Sequence, residues 1–185
     1  ETLGDPDLPF LFVQLPNFDP SGEGKQDFMW AETRDAQREA LQLPKTGMVV
    51  TIDLGEGNDL HPQNKKDVGE RLSLLAQDVV FAEAVLAQGP SLQSSAVASG
   101  EVILRFDHVG SGLQVRGDYL EGFTLAGSDG EFYPAQAQVE GDTVRLWSRE
   151  VPQPMAIRYA WEDNPEGANL YNSEGLPAVP FMIFV

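Results

Sequence analysis

The chain has 185 residues, 42% of them apolar, which suits one large domain or one and a half small ones. Lys and Arg total 12 against 29 Asp and Glu, a formal net charge of −17. That balance excludes a phosphate-reading surface and an anionic membrane surface, and it favours a neutral substrate such as a sugar ester.

Residues 1–8 are polar, with Gly4 and Pro6, and read as a frayed lead-in. Pro9 to Leu15 is a short, nearly continuous apolar run, the pattern of a strand buried on both faces of a parallel sheet. Residues 16–27 carry Pro16, Pro20, Gly22 and Gly24 and read as a loop. Residues 28–43 are rich in Ala, Glu, Arg, Gln and Leu and predict a helix that Pro44 follows. Met48 to Ile52 predicts a second buried strand, followed by a Gly- and acid-rich loop over 53–61. From Pro62 the spacing of Val68, Leu72, Leu75, Val79 and Leu86 predicts a helix to about Gln88, stopped by Gly89-Pro90. Strand, helix, strand, helix is the order of a sheet wound with crossover helices.

The pattern then changes. Residues 101–107, 113–116, 122–126, 132–140, 143–148 and 155–161 alternate apolar and polar side chains. Turns at 110–112, 128–130 and 141–142 separate them, as in an antiparallel β-sandwich. The expected division is 1–89 for the α/β part and 90–185 for the β-sandwich region.

The chain has no Cys, so thiolate chemistry and disulfides are absent from it, and no apolar run approaches the ~18 residues of a membrane span. His61 stands out, one of two histidines, on a loop after a buried strand and beside acids. Histidine moves protons near neutral pH, so His61 is a candidate general base for a serine nucleophile. The plainer reading makes Asp59 and His61 ordinary helix-entry residues ahead of Pro62. Asp53, Asn58 and Asp59 compete as the group that orients the imidazole. A cation held by Asp53, Glu56, Asn58 and Asp59 lacks the ordered spacing of a calcium loop. His108 reads as a surface turn residue. Trp147, Tyr159, Trp161 and Tyr171 could form a sugar-stacking platform, though filling a sandwich core is the better reading. The serines at Ser111 and Ser128 lie in hairpin turns and lack the strand-to-helix context of a nucleophile.

Taken together, several segments resemble the sialate O-acetylesterase family. They are Pro9-Phe10-Leu11-Phe12-Val13-Gln14-Leu15, Trp30 with Arg34 and Gln37, Thr51-Ile52-Asp53-Leu54-Gly55, and Asp59-Leu60-His61-Pro62-Gln63-Asn64-Lys65. Further matches are Gly69-Glu70-Arg71-Leu72, Gly122 to Gly127, Arg158-Tyr159-Ala160-Trp161, and Asn169-Leu170-Tyr171-Asn172 with Gly175-Leu176-Pro177-Ala178. The resemblance implies an SGNH hydrolase, a serine esterase on a flavodoxin-like α/β sheet, acting on O-acetyl groups of sialic acids or hemicellulosic sugars. His61 matches the family's late-chain catalytic histidine. The aspartate usual three positions before it is Asn58 here, and Asp59 stands two before, so Asp59 is the expected partner. The family's Gly-Gln-Ser-Asn nucleophile motif and its Gln-Gly-Glu segment do not occur in this sequence.

The chain opens on Glu1 rather than Met and is therefore expected to be processed, cleaved or a fragment. The expectation is the C-terminal, histidine-bearing part of such an enzyme, with the serine on an N-terminal part present as a second chain or cleaved segment. Arg34 and Gln37 are expected to hold loops around the site or the helix–sheet interface. No metal or organic cofactor is implied, the partner is an acetylated carbohydrate, and the expected setting is the bacterial periplasm or the exterior. The alternatives are a non-catalytic carbohydrate-binding β-sandwich module and an assembly subunit without catalysis.

Overall fold

The computed structural model describes residues 8–19, 21 and 28–185, so most of the expected lead-in and part of the 16–27 loop lie outside the described residues. Among the described residues the protein is a mixed α/β structure with mostly antiparallel sheets and two α-helices.

Strands β1 (Phe10–Val13) and β2 (Thr46–Val49) run parallel, with Phe10 opposite Thr46 and Val13 opposite Val49. Parallel neighbours need a crossover. Helix α1 (Met29–Glu39), extended by a 3-10 turn over Ala40–Gln42, supplies it. Helix α2 (Lys65–Leu75) covers one face of the pair, where Leu75 and Ala87 pack on Val49. Gly47 lets α2 approach, since a Cβ there would meet Leu11 at 3.0 Å and both Leu75 and Val79 at 3.3 Å. On the opposite face Met48, Val50 and Ile52 enter the core of the β-region. β2 is thus buried on both sides, as its continuous apolar run implies.

The helix expected over 62–88 is shorter than the sequence suggests. Asn64 caps it by accepting from the Asp67 amide at 3.2 Å, so Pro62 stands outside. The last turn widens to a π-helical stretch over Ala76–Val80, and Ala82, at φ 54°, ends it. Val85 and Ala87 then reach the same core from a non-helical segment, and Leu86, whose spacing suggested continued helix, lies between them.

Ten strands follow. One antiparallel sheet has the order β3 (Ser91–Ala98), β4 (Glu101–Asp107), β9 (Thr143–Trp147), β8 (Gln136–Glu140). The other has the order β12 (Phe181–Phe184), β10 (Ala156–Tyr159), β6 (Phe123–Ala126), β7 (Phe132–Pro134), and β5 (Leu113–Val115) pairs with β11 (Leu170–Asn172). Leu104, Val144 and Leu146 from one sheet meet Leu125, Ile157 and Phe181 from the other. Each such burial is worth about 1.5–3 kcal/mol, so this cluster, which also takes in β2, ties the two halves together. The segment 132–140, expected as one strand, changes sheets at Ala135. The Ala135 amide donates to Phe123 O at 3.0 Å, then the chain turns to pair with β9. β3, β11 and β12 were not expected. The first is mostly exposed and rich in Ser and Ala, and the other two are only three and four residues long.

Candidate functional site

Both strands of the parallel pair deliver their following loops, 14–19 and 50–64, to the same carboxyl end. Open α/β sheets gather ligands there. The two loops are bonded to each other. The Gln14 amide donates to Val49 O at 2.9 Å and Thr51 Oγ1 donates to Gln14 O at 2.7 Å, both beneath the surface. Gln14 Nε2 donates to Arg34 O at 3.0 Å, and Gln37 Oε1 accepts from the Leu15 amide at 2.9 Å.

A second set of bonds reaches across the chain to 161–168, beyond β10. Asn17 Nδ2 donates to Asn164 Oδ1 at 2.8 Å, and Asn17 Oδ1 accepts from the Gly55 amide at 2.8 Å. The Asp19 amide donates to Gly57 O at 2.8 Å, and the Phe18 amide to Asp163 O at 3.1 Å. Arg34, fully buried, donates to the carbonyls of Pro16, Glu162 and Asp163. Burial pulls its pKa down to about 10 against the opposing pull of Asp163, so it remains charged at neutral pH. Trp30 adds its indole N–H to Pro16 O and its amide to Asp163 Oδ1, each at 2.9 Å. Arg34 and Gln37 therefore hold the loops, as expected. A buried guanidinium donating to three carbonyls fixes loop backbone without using any side-chain partner's conformation.

From below, the 53–61 loop is fixed through Asp53. Arg71 on α2 grips both carboxylate oxygens at 2.7 and 2.8 Å and donates to Val50 O at 2.7 Å. The Tyr171 hydroxyl donates to Asp53 Oδ2 at 3.3 Å. Burial, reinforced by the Asp53 charge, raises the Tyr171 pKa, so the phenol stays a donor. Arg116 lies 3.6 Å over the Tyr171 ring and 3.9 Å from Asp53 Oδ2. A carboxylate so occupied is a poor imidazole partner.

On this fixed base the loop turns outward. The Asp59 amide donates to Glu56 O at 2.9 Å, and Asp59 Oδ1 accepts from the His61 amide at 2.8 Å. That backbone N–H chiefly holds the Asp59 carboxyl below the usual carboxylate range, with Gln63 Nε2 adding a bond at 3.2 Å. The His61 ring stands 85% exposed, its Nδ1 3.9 Å from Asp59 Oδ1. This is a charge-pair distance rather than a hydrogen bond, and such contacts commonly tighten when substrate is present. An imidazole oriented through Nδ1 keeps Nε2 as its basic nitrogen, which can take a proton from a hydroxyl. Asn58 is exposed and does not engage His61, while Glu56 Oε2 accepts from the Gln63 amide at 3.3 Å.

The remaining candidates are placed plainly. Tyr159, Trp161 and Tyr171 are buried in or beside the core and form no platform, while Trp147 is half-buried. Ser111 and Ser128 sit in turns closed by the amides of Gly112 and Gly130. His108 is exposed in a left-handed turn, φ 59°, with its Nδ1 2.9 Å from Ser91 Oγ. Among the described residues no carboxylate pairs with that ring, so this Ser–His contact lacks an orienting acid. Asn17, Asp163 and Asn164 escaped the sequence reading, because no local pattern marks residues that meet across more than 140 positions.

No family model and no curated protein matches the chain. Among solved structures, the chain is similar to the crystal structure described as a novel carbohydrate acetylesterase from Xanthomonas citri. The identity is 45% and the TM-score 0.91, over 97% of this chain and 42% of that one. The chain thus spans less than half the length of the esterase it resembles.

Proposed function

We propose that the chain is the histidine-bearing part of a carbohydrate O-acetylesterase of SGNH type. The carrying observation is the fixed, outward display of His61 beside the Asp59 carboxylate, at the carboxyl end of the parallel pair. The likeness to a carbohydrate acetylesterase over nearly the whole chain supports the same reading. In it, a serine from a segment outside these 185 residues attacks the acetyl carbonyl while His61 takes the hydroxyl proton. His61 then returns that proton to the sugar oxygen as the ester bond breaks. Asp59 holds the imidazole tautomer and steadies its charged form. Donors outside this chain stabilise the oxyanion. The flavodoxin-like sheet would continue from the β1–β2 pair, and the substrate class is acetylated sialic acid or hemicellulose, met in the periplasm or outside the cell.

The test is turnover of 4-nitrophenyl acetate and of acetylated xylan by the whole enzyme and its His61→Ala variant. Loss of turnover on both esters, with folding intact, is the expected result. Undiminished turnover on either ends the assignment.

A further inference from the structure

We propose that the groove between strand β8 and the loop over 115–121 binds a neutral oligosaccharide, apart from the His61 site. The groove holds about 660 Å³. Two rings line it, Tyr119, which is 79% exposed, and Trp147. Asp118, Glu121, Gln136 and Gln138 bring carboxylates and amides to the same walls, and no Lys, Arg or His lines it. Flat apolar rings with polar tips suit ligands that carry an apolar face and a rim of hydroxyls. Acceptors with amide donors suit hydroxyls, and the lining carboxylates repel anions. A chain of net charge −17 adds to that repulsion.

The walls are set before any ligand arrives. Asn169 Nδ2 donates to Arg116 O at 3.0 Å and Tyr119 O at 2.7 Å, and Asn169 Oδ1 accepts from the Glu121 amide at 2.9 Å. One side chain thus fixes three points of the loop that carries Tyr119. Across the groove, Arg145 stacks 4.9 Å over Trp147 and donates to Gln138 Oε1 at 2.9 Å. That contact fixes the indole plane and leaves the Gln138 amide NH2 as a donor. A preset wall costs little ordering on binding. Arg116, at the start of the same loop, also touches Tyr171 and Asp53 beneath the candidate catalytic loop. A polymer held in the groove is therefore held by the loop that braces the His61 site. This last point rests on the esterase reading, while the binding itself does not.

Affinity electrophoresis of the whole enzyme in gels containing acetyl-free arabinoxylan or glucomannan tests the proposal. Retarded migration in at least one gel is expected. Tyr119→Ala, whose exposed ring supports no core, should weaken retention about tenfold or more with an unchanged melting temperature. Trp147→Phe should remove any sugar-induced change in tryptophan fluorescence. His61→Ala should be retarded like the parent. Parent-like migration unaffected by both polysaccharides, or full retention by Tyr119→Ala, overturns the site. So does retention by Tyr119→Ala with new exchange protection at amides 136–140, which would mark an added peptide strand on the free edge of β8. Retarded migration of a whole enzyme that shows no His61-dependent turnover sinks the esterase reading and still supports the groove.

Discussion

His61 leaves most of its surface to solvent, so removing its ring costs the fold almost nothing. Its loss in the whole enzyme should lower kcat about 10³-fold or more with an unchanged melting temperature. The neighbouring acids should separate cleanly. Asp53 is locked to Arg71 at 10% side-chain exposure. Asp53→Asn should therefore appear mainly as lost stability, about 3 kcal/mol, because a largely buried guanidinium is left without its charge partner. Asp59 has no such structural duty, and Asp59→Asn should lower kcat by less than His61→Ala while leaving the melt unchanged. A larger kcat loss for Asp53→Asn at intact stability would reassign the acid. The sign of the pH effect follows from the depressed Asp59 value. Its contribution is complete above the ordinary carboxylate range, about pH 4, and disappears only as the pH falls through the lower folded value. Titration of Asp59 itself should therefore add no limb to the pH–rate profile above about pH 4.

At the scale of elements, the His61 loop is a span held at both flanks rather than a flexible strap. Gly55 makes this testable, since a Cβ there would lie 2.5 Å from both the backbone oxygen and Oδ1 of Asn17. The backbone oxygen cannot swing away, so Gly55→Ala must displace the loop. Misplacing a catalytic group by about 1 Å costs on the order of 100-fold. Gly55→Ala should approach that loss in kcat with a modest change in KM, and steady-state kinetics on 4-nitrophenyl acetate would show it. What the sequence revealed follows the range of the interactions. Phe10–Val13 and Thr46–Val49 were legible from their apolar runs, although only β2 is buried on both faces and β1 leaves Phe10 and Val13 exposed. Glu101–Asp107 was legible because a half-buried strand alternates. The end of α2 was not, since Val79 and Leu86 keep helical spacing while 82–87 is not helical and packs Val85 and Ala87 on the same core. The knot of Asn17, Asn164, Arg34 and Asp163 was not, because hydrogen bonds across 129 to 147 positions leave no local periodicity. His61 and its strand-end loop were legible, whereas the bracing through Asp53, Arg71 and Tyr171 needed the fold.

At the scale of the molecule, the two halves meet where Gly89 passes Pro177. A Cβ at Gly89 would stand 1.9 Å from the Pro177 carbonyl oxygen, so Gly89→Ala forces backbone apart at the seam. It should lower stability by about 3 kcal/mol or more, read as a fall in the denaturant midpoint. The parallel pair raises the larger question. Two parallel strands are too few to stand as a sheet, and parallel sheets are normally covered on both faces. α2 and the β-region cover the faces here, but Phe10 is 63% exposed and Val13 36%, with Leu8 at 50% just before them. An edge that presents apolar side chains and unpaired backbone groups invites another strand. On the proposed reading, that strand comes from the serine-bearing part of the enzyme. Residues 1–185 alone should then self-associate and lack esterase activity. Adding the serine-bearing part should restore a single species with hydrogen-exchange protection at amides 10–13. Light scattering, exchange and turnover of acetyl esters decide it together. A monomer of residues 1–185 that melts cooperatively and hydrolyses acetyl esters through His61 is the result this account cannot survive. Such a molecule would have to complete both its sheet and its nucleophile from within these residues, and among the described residues the geometry around His61 offers neither.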